Sequence, residues 1–252
     1  MGIGRSTAMV RSQAVRVLYR DELVIALDKP AGVATVPGRG PGASGRAGEG
    51  APEPLSAQVR AIAPDALPVH RLDRDTSGVV LFALGKAAHR ALSMAFESRR
   101  AEKTYLGLCR GDLSAARCDL PLVGGRKGGM RIALAGDERG QPSLTEFEAL
   151  EKFAGFTWLQ ARPRTGRTHQ IRVHLAALGH PLAIDPRYGE ARPIESRELL
   201  AGSEGIALGR LPLHAAALRV PHPSGRGWLS VEAPLPADLA RCLDLLRAQR
   251  RG

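Results

Sequence analysis

The chain contains only three cysteines, Cys109, Cys118 and Cys242, and they stand at no C-x-x-C or metal-finger spacing. A sparse, odd-numbered set excludes a disulfide framework and fits a reducing cytoplasm. No apolar run approaches the roughly 18 residues needed to span a bilayer, and the N-terminus lacks the apolar core of a signal peptide. Neither a membrane nor an export route is expected. Acidic residues are scarce too: 25 Asp and Glu face 36 Lys and Arg, leaving a formal net charge of +11. That balance points to a polyanionic partner, and nucleic acid is the first candidate. The apolar fraction of 44% is ordinary for a globular protein and excludes a wholly disordered one.

Along the chain, residues 1–14 read as a loose tail and residues 15–252 as the folded part. Val15 to Tyr19 and Leu23 to Leu27 read as strands around the acidic turn Asp21-Glu22. The Gly-, Ala- and Pro-rich stretch from Gly38 to Pro54 reads as a surface loop, and Ser56 to Ala63 as a short helix. Val79 to Leu84 is a strand. In Ala87 to Arg100, Ala88, Ala91, Leu92, Ala95 and Phe96 share one helical face. Glu102 to Leu108 returns to strand-like alternation, and the basic, glycine-rich Gly124 to Met130 reads as a loop. Leu144 to Leu150 and Thr157 to Ala161 read as antiparallel strands, and Thr165 to Leu178 as a turn entering a helix that Gly179-His180-Pro181 stops. Leu213 to Val220 and Trp228 to Val231 read as a hairpin, with a closing helix from Leu235. Strands come in hairpin-like runs with few helices between them. That pattern predicts an α+β fold on a mostly antiparallel sheet with flanking helices and loops.

One stretch concentrates the chemistry. His70-Arg71-Leu72-Asp73-Arg74-Asp75-Thr76-Ser77-Gly78 packs carboxylates, guanidiniums, an imidazole and hydroxyls just ahead of an apolar strand. It reads either as a charged surface loop or as a site whose charges are paired. A second such stretch is Gly166-Arg167-Thr168-His169-Gln170-Ile171-Arg172-Val173-His174.

Together these closely resemble the H-R-L-D-x-x-T-S-G and G-R-T-H-Q-I-R-x-H signatures of the RluA-type RNA pseudouridine synthases. Asp28 to Gly32 is similar to that family's N/D-K-P-x-G strand end, Lys103-Thr104-Tyr105 to its K-x-Y, and Gly179 to Gly189 to its G-H-P-L-x-G-D-x-x-Y-G, with Ile184 where glycine is usual. The resemblance runs from about Leu18 to about Leu239, nearly the whole chain. It implies a pseudouridine synthase fold and an RNA substrate, ribosomal or transfer.

Role by role, the resemblance makes Asp73 the nucleophile, Arg172 the arginine that pairs with it, and Tyr105 the aromatic that lies against the target base. It gives Arg71 the space left by an extruded nucleotide. Arg167 and His169 are implied as phosphate contacts or as supports of the groups that touch the base. Taken alone, Arg172 reads as a surface helix charge and Tyr105 as a half-buried strand aromatic. His70 and Thr76 are expected to hold the loop and Asp75 to cap or turn it.

A carboxylate that must stay ionised in a partly dry pocket needs a fixed cation nearby, and an isomerisation needs no redox cofactor. No cofactor and no metal are expected: His169, His174 and His180 are spaced by five and six, not the four of a helical ligand pair. Two other readings remain open. One is a catalytically inactive RNA-binding module of the same fold. The other is a Mg-dependent phosphohydrolase built on Asp73-x-Asp75, although its usual buried strand does not precede the motif. A cytoplasmic monomer is expected.

Overall fold

The computed structural model describes residues 15–37 and 52–250. The expected tail and most of the Gly38 to Pro54 loop lie outside them. In chain order the strands are β1 (Arg16–Arg20), β2 (Val24–Lys29), β3 (Ala66–Pro68), β4 (Ser77–Leu84), β5 (Glu102–Arg110), β6 (Ala116–Cys118) and β7 (Leu122–Gly124). They continue with β8 (Met130–Ile132), β9 (Thr145–Phe153), β10 (Phe156–Pro163), β11 (Ile194–Glu195), β12 (Ile206–Leu208), β13 (Leu213–Pro221) and β14 (Trp228–Glu232). The helices are α1 (Leu55–Arg60), α2 (Lys86–Glu97), α3 (Gln170–Ala177), α4 (Ser196–Leu199) and α5 (Ala237–Gln249).

Ten strands form one sheet with the path β1-β2-β4-β13-β5-β10-β9-β6, with β14 beside β13 and β3 beside β4. The fold is α+β and mostly antiparallel, as expected; its parallel pairing is the short β4–β13 junction, His214 with Ser77 and Ala215 with Gly78. Gly78 is required there: a Cβ would stand 2.2 Å from the Ala215 carbonyl oxygen, and the backbone sits at φ +113.

The strand run 79–84 has no polar alternation because both of its faces are covered. Val79, Leu81 and Ala83 join the cluster holding Ala88 and Leu92 of α2, and Val80 and Phe82 join the one holding Leu55 and Val59 of α1. Farther along the sheet, α5 inserts Leu239, Cys242, Leu243 and Leu246 against Leu108 and Trp158, while Ile171 and Leu175 of α3 pack on Leu159. The α1-side and α3-side clusters both contact Tyr105 on β5, at the middle of the sheet.

Three expectations change. Gly124 to Met130 does loop, but its ends belong to two short strands, β7 and β8, that pair as a small hairpin. Helix α2 ends earlier than Arg100, at Glu97, because Arg99 takes a left-handed conformation with φ +59. Arg99 N–H bonds Phe96 O at 3.1 Å and Arg100 N–H bonds Ala95 O at 2.9 Å, the paired closure that usually employs glycine. Helix α3 is covered on all sides, with Gln170, Arg172 and His174 buried alongside Ile171, Val173 and Leu175.

Candidate active site

The loop carrying Asp73 joins β3 to β4 and is clamped by the segment after β2. Thr35 Oγ1 bonds both backbone groups of Leu72, donating to its O and accepting from its N–H, each at 3.1 Å. The Lys29 ammonium, fully buried, donates to Pro30 O, Val33 O and Arg74 O at 2.7 to 2.9 Å. Arg74 N–ε donates to Gly32 O at 2.9 Å. The resemblance had marked this lysine without a role; its position supplies one, as the strut behind Asp73.

His70 accepts the Leu81 N–H at 3.0 Å and stacks on Phe96 at 4.8 Å between ring centres. Burial depresses its pKa to about 3, so it is neutral, as an acceptor must be. The turn itself closes by backbone, Thr76 N–H to Asp73 O at 3.2 Å. Asp75 is exposed and caps nothing among the described residues.

Arg71, Asp73, Tyr105, Arg167, His169 and Arg172, drawn from three separate stretches of chain, all line one cavity of about 450 Å³. That volume lies within the range of small-ligand sites. Asp73 Oδ2 faces Arg172 Nη1 at 3.5 Å and His169 Nε2 at 3.7 Å. Arg172 is buried, contrary to the surface-charge reading, and its close partner is Asp185. Nε donates to Asp185 Oδ2 at 2.8 Å and Nη2 to Oδ1 at 2.7 Å. Burial works against the arginine's charge, but the hydrogen bonds and charge of Asp185 outweigh it and its pKa is raised.

Asp185 also accepts the N–H groups of Arg187 and Tyr188, so one carboxylate orders both the arginine and the turn after it. Ile184, where glycine is usual, packs into the α5 cluster without opening this turn. Tyr188 lies under Arg172, with the guanidinium carbon 5.1 Å from the ring centre. Neither Asp185 nor Tyr188 was singled out in the sequence, although both stand in the Gly179 to Gly189 stretch.

Burial, reinforced by Asp73, pushes the Tyr105 phenol above its ordinary value, so the group keeps its proton. Lys103, two residues earlier on β5, also lines the cavity, donates to Thr165 O at 2.8 Å, and is lowered by burial to about 8. The 165–167 turn is tied by the buried Gln170 amide, which accepts from Thr165 Oγ1 at 2.6 Å and from Arg167 N–H at 3.0 Å. Arg71 is exposed at the rim.

The overall fold is similar to that of solved pseudouridylate synthase structures. Human RNA pseudouridylate synthase domain containing 1 aligns with a TM-score of 0.67 and 29% identity over 94% of this chain and 95% of that one. Human RNA pseudouridylate synthase domain containing 4 has the same fold, with a TM-score of 0.72, 21% identity, and 92% and 93% coverage. The profile described as RNA pseudouridylate synthase matches residues 23–177. Ribosomal large subunit pseudouridine synthase C of Escherichia coli (strain K12) is 41% identical over 240 residues, 93% of this chain and 70% of that protein. The corresponding protein of Salmonella typhi is 41% identical over 239 residues, again 70% of its length. The fold class is thus that of the pseudouridylate synthases. The chain belongs to the RNA pseudouridylate synthase family of isomerases.

Proposed function

We propose that this protein converts particular uridines of ribosomal or transfer RNA to pseudouridine, with Asp73 as nucleophile, through one catalytic domain spanning residues 15–252. The observation that carries the reading is Asp73 Oδ2 facing Arg172 and His169 in the cavity that Tyr105 also lines. Arg172 sets a fixed positive charge beside the carboxylate that is to attack as the anion.

The reaction breaks the bond from uracil N1 to the ribose, turns the base, and joins carbon 5 to the same sugar carbon. The hydrogen on carbon 5 leaves as a proton and N1 gains one, so composition is unchanged and no oxidant enters. Asp73 attacks as the anion and later departs. Tyr105 supports the base and, keeping its proton, acts as a donor. A paired uridine must first be extruded at a cost of about a few kcal/mol, and Arg71 occupies the space it leaves. Arg167 contacts phosphate. The enzyme acts as a cytoplasmic monomer without a metal.

Two bacterial relatives are named for the ribosomal large subunit, which makes that RNA the first substrate to offer. The test is tritium release from carbon-5-tritiated uridine in unmodified RNA with EDTA present. Release by the wild type and none by Asp73→Asn is the expected result. Binding without release, from ribosomal and transfer RNA alike, would favour an inactive RNA-binding module of the same fold.

A further inference from the structure

Both contacts to Asp73 reach Oδ2, and its Oδ1 has no partner among the described residues. One of those contacts comes from His169, whose own surroundings are unusually constrained. Its backbone sits at φ +54, and the other non-glycine residue in that region among those described is Arg99, which lines the same cavity. Strained conformations of this kind persist where the surrounding structure imposes them and gather at working sites.

The far side of the ring is fixed as well. His169 Nδ1 lies 2.8 Å from Tyr188 Oη, and that oxygen already accepts the Met130 N–H at 2.8 Å. A phenol has one proton to give. With Met130 donating, the Tyr188 proton has a single described destination, Nδ1. A bare Nδ1 leaves the neutral ring its proton on Nε2, the nitrogen that faces Asp73. Burial lowers the His169 pKa and raises that of Tyr188, so both groups hold these protonation states at neutral pH.

We infer that His169 is a positioning residue for Asp73, its Nε2–H holding Oδ2 beside Arg172 so that Oδ1 is the oxygen presented to the substrate, with Tyr188 setting the tautomer. This rests on Asp73 being the nucleophile. The 3.7 Å separation is that of a contact still to tighten, as catalytic hydrogen bonds often are before substrate binds. Because Met130 begins β8, the line also ties the basic β7–β8 hairpin to the nucleophile. Of the two roles that the motif left open for His169, this one acts on the carboxylate rather than on phosphate.

The test uses unmodified ribosomal RNA tritiated at uridine carbon 5, read as single-turnover release and, separately, as binding. His169→Asn suits the left-handed backbone and removes the ring donor. It is expected to slow release about tenfold to a hundredfold, the worth of a hydrogen bond to a charged group, with RNA affinity unchanged. Tyr188→Phe keeps the aromatic ring, slows release in the same direction, and should leave the His169 proton distributed over both nitrogens in imidazole ¹⁵N spectra. The wild type should show the proton on Nε2. A proton on Nδ1 in the wild type, an unslowed His169→Asn, or a loss confined to RNA affinity would overturn the assignment. Asp73→Asn separates the two claims: release by that variant sinks the nucleophile itself, whereas a dead Asp73→Asn with an unslowed His169→Asn sinks only the role of His169.

Discussion

Asp185 grips Arg172 with both carboxylate oxygens, at 2.7 and 2.8 Å, and leaves the third guanidinium nitrogen 3.5 Å from Asp73. The arginine is therefore oriented by one aspartate to serve another. Its charge is shared between the two carboxylates, with the closer contacts to Asp185.

Asp185→Ala should cost about 3 kcal/mol or more, because removing one partner of a buried pair strands the other charge. Urea unfolding measures this. Asp185→Asn preserves the acceptor for the Arg187 and Tyr188 N–H groups but loses the charge, so it should fold better than the alanine variant while tritium release still falls. Near-normal release from Asp185→Asn would show that Arg172 finds Asp73 unaided.

Lys29 makes a prediction about pH. Replacing it with methionine strips three backbone carbonyls of their donor and should cost about 3 kcal/mol. Burial lowers its folded pKa to about 7 from an ordinary 10.5. Between those values the unfolded chain binds the proton more readily, so stability rises with pH across that window and is lost as pH falls through about 7. Lys103, lowered to about 8, adds to the same slope. Denaturant midpoints from pH 7 to 10 should climb for the wild type and climb less for Lys29→Met. Parallel curves would assign the slope elsewhere.

Strand β4, the β9–β10 pair, the β13–β14 hairpin and helix α2 could be read from the sequence because apolar run, alternation and helical face are local properties. The six side chains now found around one cavity were found through long motifs, not through spacing; on burial statistics alone Arg172 read as surface. The rest was set by contacts across the chain. Asp185 is a lone acid in a proline turn until α3 brings Arg172 to it. Strands β7 and β8 are too short and glycine-rich to show a period, and Met130 is held by Tyr188 from another segment. Arg99 ends α2 without the glycine that usually announces such a stop, and Asp75 resembled a cap although the turn closes through Thr76.

The parallel junction between β4 and β13 predicts its own weak point. Gly78→Ala places a methyl within 2.2 Å of the Ala215 carbonyl oxygen, at a φ of +113 that alanine avoids. The strands must part, and a loss on the order of 3 kcal/mol is expected. Because the Asp73 loop enters β4 at Ser77, tritium release should fall below what residual folding explains. Circular dichroism melts beside release assays make the comparison; an unchanged melt would mean that the β4–β13 junction yields freely.

Arg99 separates stability from function. It occupies the left-handed position at the end of α2, where a side chain costs about 1 kcal/mol relative to glycine, and it is exposed on the wall of the cavity. Among the described residues no hydrogen bond or ion pair of its side chain repays that cost. Arg99→Gly should therefore raise the unfolding free energy by about 1 kcal/mol. If the arginine is retained for the RNA, the same variant should bind more weakly, with the slope of log affinity against log salt reduced by about one. Titrations of unmodified ribosomal RNA at several salt concentrations read the slope, and urea unfolding reads the stability. A stabilised variant with an unchanged slope would show that Arg99 does not meet phosphate and that its strain serves the shape of the cavity wall alone.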